Sequence, residues 1–309
     1  MNTVNQSDPL KIYTALTIAI IFWGCSFPAI KLVMTGFTPI SYVFLRFAGA
    51  ELLFGVLMLK RFRVLQWGTH LKLAVMGLFY PTLYFILESI GMQHTSASSA
   101  SILVAASPGI AALFARCILK EKLSFRQWFG VVLSIVGVVV LAGFDDNQAY
   151  SESSVLGNSL ILLAVLSATV YMIIARHLSA QLSALEITFY QVLYSLLYLL
   201  PVFLVHSRDV SWTSVNAVSL AALFFLIIGA TLIAFLSYNY AISCAPVSTA
   251  AVFLNGVPLV SVILSAIILN EEIGVLQVIG GTIIVSGVTL TTWRRRSRAV
   301  PDGQRTDLG

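Results

Sequence analysis

The chain has 309 residues, 58% of them hydrophobic and only 10% charged, with a formal net charge of +5, and its mean hydropathy is +0.92. A soluble domain carries roughly 25% charged residues, so this chain cannot wet a water-soluble surface. A soluble enzyme, a disordered scaffold and a secreted module are excluded together, and an integral membrane protein remains.

Taken in chain order, apolar runs fall at about Leu10–Met34, Ile40–Leu59, Leu71–Ile90, Ala97–Leu119 and Gln127–Gly143. A second set follows at about Val155–Ile174, Ile187–Leu204, Val215–Tyr240, Val247–Leu269 and Val275–Trp293. A spanning helix needs about 20 mostly apolar residues, and none of the runs alternates with the period of two that a membrane barrel requires. The predicted fold is an all-α membrane protein of ten transmembrane helices. The first run is too long for a signal-peptide core and no small-residue cleavage site follows it closely, so it is expected to be retained. Cys25, Cys117 and Cys244 sit inside apolar runs without paired spacing. They read as small packing residues, and no disulfide, metal or cofactor is expected.

Orientation follows from Lys and Arg. With the N-terminus inside, fifteen of the eighteen basic residues face the cytoplasm, including Lys60, Arg61, Arg63, Lys120, Lys122 and the run Arg294, Arg295, Arg296 and Arg298. Arg208 lies outside, Lys31 and Arg46 lie near outer helix ends, and the outer connection at Asp145, Asp146 and Glu152 is acidic. The positive-inside rule then puts both termini in the cytoplasm. The basic tail, residues 294–309, reads as a topology anchor beside Trp293 and not as a nucleic-acid site, since no aromatic or basic platform accompanies it.

A shift of 150 positions aligns two stretches without a gap. Ser98, Ala100, Pro108, Glu121, Gln127, Gly130, Gly137 and Val138 meet Ser248, Ala250, Pro258, Glu271, Gln277, Gly280, Gly287 and Val288. The chain therefore reads as a duplication, with a first five-helix repeat at 10–143 and a second at 155–293. Five is odd, so the second repeat enters the membrane upside down relative to the first. Inverted repeats are the structural basis of alternating access.

In these residues the chain resembles the drug/metabolite transporter superfamily, specifically its EamA-type ten-helix exporters. The resemblance rests on Phe22-Trp23-Gly24-Cys25-Ser26-Phe27 with Lys31, on Leu45-Arg46-Phe47, and on His94-Thr95-Ser96-Ala97-Ser98. Pro108, Glu121, Trp128, Gly130 and Gly137 complete the first half, and Ala245-Pro246-Val247-Ser248, Pro258, Glu271, Gly280 and Gly287 repeat it. It covers residues 10–293 and marks fold better than substrate. It implies a multi-pass protein of the inner or plasma membrane that exports a small metabolite such as an amino acid.

Candidate site residues come from interruptions and buried polar groups. Ser107-Pro108-Gly109 and Asn255-Gly256-Val257-Pro258 break the fourth and ninth spans at matching places, as in carriers that bind near the membrane midplane. Pro108 and Pro258 are the expected hinges, and Asn255 is an amide at membrane depth. Residues four apart share a helix face: Trp23, Phe27 and Lys31; Tyr80, Tyr84 and Glu88; Tyr190, Tyr194 and Tyr198 with Glu186 a turn earlier. With Tyr171, Tyr238 and Ser101 they suggest an aromatic cavity with a few polar groups. The expected substrate contacts are Trp23, Phe27, Tyr84, Glu88, Ser101, Tyr171, Tyr190, Tyr238 and Asn255. Glu51, in the middle of the second span, costs roughly 2.5–3.5 kcal/mol to insert and is the proton-coupling candidate. The family usually has a small or apolar residue there, so this position departs from the pattern. Glu121 and Glu271, at helix ends, read as structural. Ala97, Ser101, Ala105 and Gly109, with the glycines of the fifth and tenth spans, read as close-packing faces, within the monomer or between the copies of a homodimer.

The alternatives are an enzyme or a channel. No His-Glu-x-x-His or Gly-x-Ser-x-Gly motif occurs, the four histidines lie near helix ends or in loops, and no filter-like segment appears. No catalytic residue is expected, and the partners are a small-molecule substrate and the lipid bilayer.

Overall fold

The computed structural model describes residues 9–107, 109–110, 124–143, 154–178, 181–206, 214–244 and 253–292. The described residues are helices joined by short connections, with no strand among them. Helix α1 spans Pro9–Val33 and α2 spans Pro39–Met58. The third element is broken: α3, Trp67–Gly77, passes through a wide π turn at Leu78–Leu83 into α4, Tyr84–His94. Next come α5, Ala97–Val104, α6, Phe125–Gly143, α7, Ser154–Leu178, and α8, Ala184–His206. A second broken element follows, with α9 at Ala217–Phe225, a π turn at Leu226–Ile233 and α10 at Ala234–Cys244. Helices α11, Gly256–Ile268, and α12, Val275–Thr292, complete the described chain.

Local sequence sets many of these ends. The Thr38 side chain accepts from the Ser41 N–H and Pro39 opens α2, so the proline occupies a position whose missing donor would have gone unused. Ser124 and Gln127 form a reciprocal box before α6, and Asn216 and Ser219 do so at α9. Asn270, just past α11, has φ of 53°, the left-handed conformation that asparagine tolerates and that ends a helix.

Among the described residues five helices are long and apolar enough to cross a membrane: Pro9–Val33, Pro39–Met58, Trp67–His94, Ala184–His206 and Ala217–Tyr238. Helix α2 shows how the faces divide. Tyr42, Phe47, Ala50, Phe54 and Met58 are buried in the core, whereas Leu52, Val56 and Leu57 are exposed. Such a leucine-rich outer face would be an aggregation hazard in water, but lipid tails are as apolar as leucine and solvate it. The expected span Ala97–Leu119 is helical through Val104, and residues 111–123, which include Glu121 and Cys117, lie outside the described residues. Likewise residues 245–252 precede the helix of the ninth run.

The glycine faces pack within the chain. Helices α6 and α12 form the most extensive helix pair described. A Cβ on Gly137 would stand 2.8 Å from the Gly280 carbonyl oxygen and 2.8 Å from the Ile284 nitrogen. A Cβ on Gly287 would stand 2.6 Å from the Gly130 oxygen and 2.5 Å from the Ser134 nitrogen. Subtracting 150 from the second helix's numbers turns either contact into the other, so the two helices meet with two-fold reciprocity. Backbone cannot retreat as a side chain can. Gly287→Ala should therefore cost about 1–3 kcal/mol of overpacking, read as a lower melting temperature of the detergent-purified protein. An unchanged melting temperature would refute the close approach.

Candidate functional site

Aromatic and charged side chains from α1, α2, α4, α7 and α10 converge inside the bundle. Trp23 on α1 donates its indole N–H to the Ala230 carbonyl at 3.1 Å, beside the second π turn. Its ring lies 5.0 Å from that of Tyr238 and 5.6 Å from that of Phe235. Phe235 in turn neighbours Tyr80, which stands 4.8 Å from Tyr171 and 5.0 Å from Tyr84. Tyr84 donates to the Glu88 carboxylate at 2.9 Å, one helical turn along α4. Rings thus run without interruption from α1 to α4, and edge-to-face or tilted pairs of this kind fix one another's orientation.

Charge enters from α2. Arg46 is 2% exposed, and its guanidinium rests 4.6 Å from the Phe85 ring centre, a cation–π contact that is strong once desolvated. Its Nε donates to Thr231 Oγ1 at 2.7 Å, and Thr231 itself donates to the Leu226 carbonyl. Arg46 lies in electrostatic range of Glu88, Tyr42, Tyr80 and Tyr84. Tyr42 and Ser89 share a hydrogen bond next to it. The arginine reads from sequence as a charge near an outer helix end, yet it is the largest fully buried side chain described.

The two π turns frame this cluster. They fall at 78–83 and 226–233, which the 150-residue shift superposes over six positions. Thr82 donates to the Gly77 carbonyl and Thr231 to the Leu226 carbonyl, each five residues back, so each hydroxyl serves a carbonyl of the widened turn. Within the first turn Tyr80 is extended, with φ of −146° and ψ of 118°. The expected straight face of Tyr80, Tyr84 and Glu88 is therefore corrected: the last two share a helix face, and Tyr80 reaches the cluster from a kink. Only Pro81 hinted at this break. Wide turns occur disproportionately at functional sites.

Interruptions also lie ahead of the two proline positions. Helix α5 gives way to a turn at Ala105–Ala106, and Asn255 interrupts the chain ahead of α11. Positions 105 and 255 are equivalent under the shift and precede Pro108 and Pro258 by three residues, where a proline frees carbonyls. Pro258 is buried, and Pro108 lies outside the described residues. Asn255 donates to Thr289 at 3.4 Å, while its buried Oδ1 meets no protein donor.

The remaining expected site residues are placed elsewhere. Phe27 packs in the common core. Ser101 donates to the Ser98 carbonyl within its own helix at 2.8 Å. Tyr190 meets His70 and Phe189, next to a Glu186 carboxylate bound to Arg63 at 2.6 Å. Tyr194 bonds His70 and Tyr198 reaches the Ala74 carbonyl, so the α8 tyrosine stripe holds α8 against α3. Glu51 sits on α2 with both carboxylate oxygens buried and without hydrogen-bond partners. A groove of about 270 Å³ lined by Phe79, Leu83, Leu87, Leu163, Leu166, Ser167 and Val170 is apolar and holds none of the charged groups.

A polar seam closes one end of the bundle, where α4 passes into α5. Lys31 donates to the carbonyls of Met92 and of Thr95, the latter at 2.6 Å, a cation satisfying the free carbonyls of a helix end. Glu271, just beyond α11, accepts from the Ala97 and Ser98 N–H groups at 2.9 and 3.1 Å and from the Ser98 hydroxyl at 2.8 Å. Gln277 donates to Ser99 at 2.8 Å from α12 and is buried. Its equivalent under the shift, Gln127, bonds the local Ser124 alone among the described residues. Gln277 likewise accepts from the Gly274 N–H at 3.1 Å, so the local cap is common to both positions and the bridge to α5 is added at the second.

Comparison with known proteins agrees with this architecture. The model of the EamA-like transporter family matches residues 10–143 and 155–293. An "Uncharacterized transporter" of Archaeoglobus fulgidus is 25% identical over 286 residues, 93% of this chain and 100% of its own. A Streptantibioticus cattleyicolor protein named "Probable terminal-alkyne amino-acid exporter" is 26% identical over 301 residues, 94% of this chain and 98% of its own. A solved crystal structure shares the fold, with a TM-score of 0.64 at 19% identity over 90% of this chain and 97% of its own.

Proposed function

Because the chain belongs to the EamA-like transporter family and is a multi-pass protein of the cell membrane, we propose that it exports a small amphipathic metabolite, such as an amino acid, by alternating access. The Archaeoglobus fulgidus relative is named as a transporter and the Streptantibioticus cattleyicolor relative as a probable amino-acid exporter. Two inverted five-helix repeats, 10–143 and 155–293, form ten spanning helices with both termini in the cytoplasm. Proton exchange drives the export. The observation that carries this reading is the register of the interruptions. Both halves are broken at equivalent places, 78–83 against 226–233 and 105 against 255, around one buried cluster. The reciprocal glycine contacts of α6 and α12 support the same two-fold relation. A carrier needs breaks of this kind, because each half must take two conformations around a shared site.

In this orientation the seam of Lys31, Glu271 and Gln277 is the extracellular gate in its closed state. Counterflow in proteoliposomes tests the carrier reading. At least one amino acid of a panel should exchange, and Asn255→Ala should slow that exchange about tenfold, equivalent to about 1.4 kcal/mol. Absence of exchange for every amino acid, nucleobase and amine tried, with a folded protein, would sink it.

A further inference from the structure

We infer that Arg46 and Glu88 are the two poles of the substrate site, so that the solute is a zwitterionic α-amino acid held by its carboxylate at Arg46 and its ammonium at Glu88. This rests on the carrier reading and deepens it. Both residues are almost wholly buried, at 2% and 3% exposure. Each uses one part of its charged group on the protein: Arg46 Nε on Thr231, and Glu88 Oε1 on Tyr84. Among the described residues each leaves another part without a protein partner, namely Arg46 Nη1 and Glu88 Oε2. A buried charge with an unused hydrogen-bonding atom is costly, and the cheapest remedy would be a direct ion pair between them. They do not form one. Among the described residues Arg63–Glu186 is the only pair within 4.0 Å. Arg46 is held instead over the Phe85 ring by its bond to Thr231.

Arg46 lies in electrostatic range of Glu88 without reaching ion-pair distance, so a solute bridging them meets opposite charges at its two ends. An anion alone would satisfy Arg46 and be repelled by Glu88, and a cation alone would do the reverse. A zwitterion neutralises both and supplies the missing donor and acceptor. Charge-assisted bonds at both ends would give it geometric specificity as well as affinity. The surrounding rings of Tyr80, Tyr84, Tyr171 and Phe235 leave an apolar wall for the side chain. The site therefore recognises the α-amino and α-carboxyl groups strictly and an apolar or aromatic side chain loosely.

Chemical blocking of either pole tests this. The twenty amino acids are offered to the purified full chain in counterflow, each as the free acid, the α-amide and the N-acetyl derivative. For every amino acid that exchanges, both derivatives should compete at least tenfold less well than the free form. A site that discriminates by hydrogen-bonding a group rejects analogues lacking it, because its own buried atoms are left unpaired. Glu88→Gln should weaken the free amino acid at least tenfold and leave the N-acetyl form unchanged, so that the preference between them collapses. A merely structural glutamate would lower both in proportion. Arg46→Gln should do the same for the amide, and where that variant fails to fold the derivative series on the unaltered protein still decides. Undiminished exchange of the amides or N-acetyl forms, or exchange confined to solutes lacking one pole, overturns the pair while leaving the carrier intact. Failure of every solute to exchange removes the carrier reading itself.

Discussion

Tethering Ser98→Cys to Glu271→Cys with a short thiol-reactive linker should stop counterflow almost completely, and reductive release of the linker should restore it. The native cysteines Cys25, Cys117 and Cys244 are first replaced by alanine. A linker is needed because the Glu271 carboxylate, and not its Cβ, spans the gap to Ser98, whereas a direct disulfide requires Cβ atoms about 3.5–4.5 Å apart. The expectation follows from what Glu271 does. Three hydrogen bonds from one carboxylate fasten the start of α5 to the segment after α11, and a charge at a helix N-terminus is favourable in its own right. These bonds must break for that end of the bundle to open. A covalent tether removes the option, so the protein can bind solute from one side only. Glu271→Ala should act in the opposite direction. It leaves two backbone donors of α5 uncapped, costs about 0.5–2 kcal/mol of the closed state, and shifts the population toward the open one. Full-rate transport by the tethered protein would show that the seam is a fixed scaffold and not a gate.

The parts of this molecule that were legible in the sequence are those that helical spacing and composition express directly. Trp23, Tyr84, Glu88, Tyr171 and Tyr238 stand out because a phenol, indole or carboxylate at membrane depth has no apolar reason to be there, and the fold gathers these five near one another. The same reasoning also selects Tyr190 and Ser101, which the fold uses elsewhere. A tyrosine stripe looks alike whether it lines a cavity or, as on α8, bonds His70 and the Ala74 carbonyl. A helical serine can satisfy its hydroxyl on its own backbone. Two features left little trace. The π turns have no residue signature beyond Pro81, since a widened turn is set by how neighbouring helices pack. Arg46 was obscured by its position, near enough to a helix end to pass for a topology charge. Only tertiary structure shows Thr231, which is 185 positions away, holding it in the core. The repeat offers one retrospective signal. Interruptions recur at a shift of 150, so a kink in one half marks where to look for the other.

Glu51 supports the second large effect. It lies seven residues after Phe44 and so on the same face of α2, and Phe44 stacks on Phe203 of α8 at 4.3 Å. Glu51 therefore lies on the side of α2 that meets α8 at Phe44, and, four residues on from the buried Phe47, it borders the core-facing side as well. Both of its oxygens lack a hydrogen-bond partner there. A carboxylate at membrane depth without a cation is expensive, and ionisation requires water to reach the seam. Such a group can load a proton on one side and release it on the other if the seam opens alternately. With one proton exchanged per neutral zwitterion the cycle moves charge, so vesicles one pH unit more acidic inside than outside, held at zero membrane potential by potassium and valinomycin, should concentrate the substrate about tenfold as protons leave, since each tenfold ratio corresponds to about 1.4 kcal/mol. Glu51→Gln keeps the size of the side chain but cannot bind or release a proton. The variant should fold and should exchange labelled for unlabelled substrate at a rate close to wild type, because exchange needs no net proton movement. Its gradient-driven accumulation should fall to the level reached without a gradient. Retention of the tenfold accumulation would remove Glu51 from the coupling path. Loss of exchange and accumulation together would instead make it part of the helix seam that the transport cycle must move.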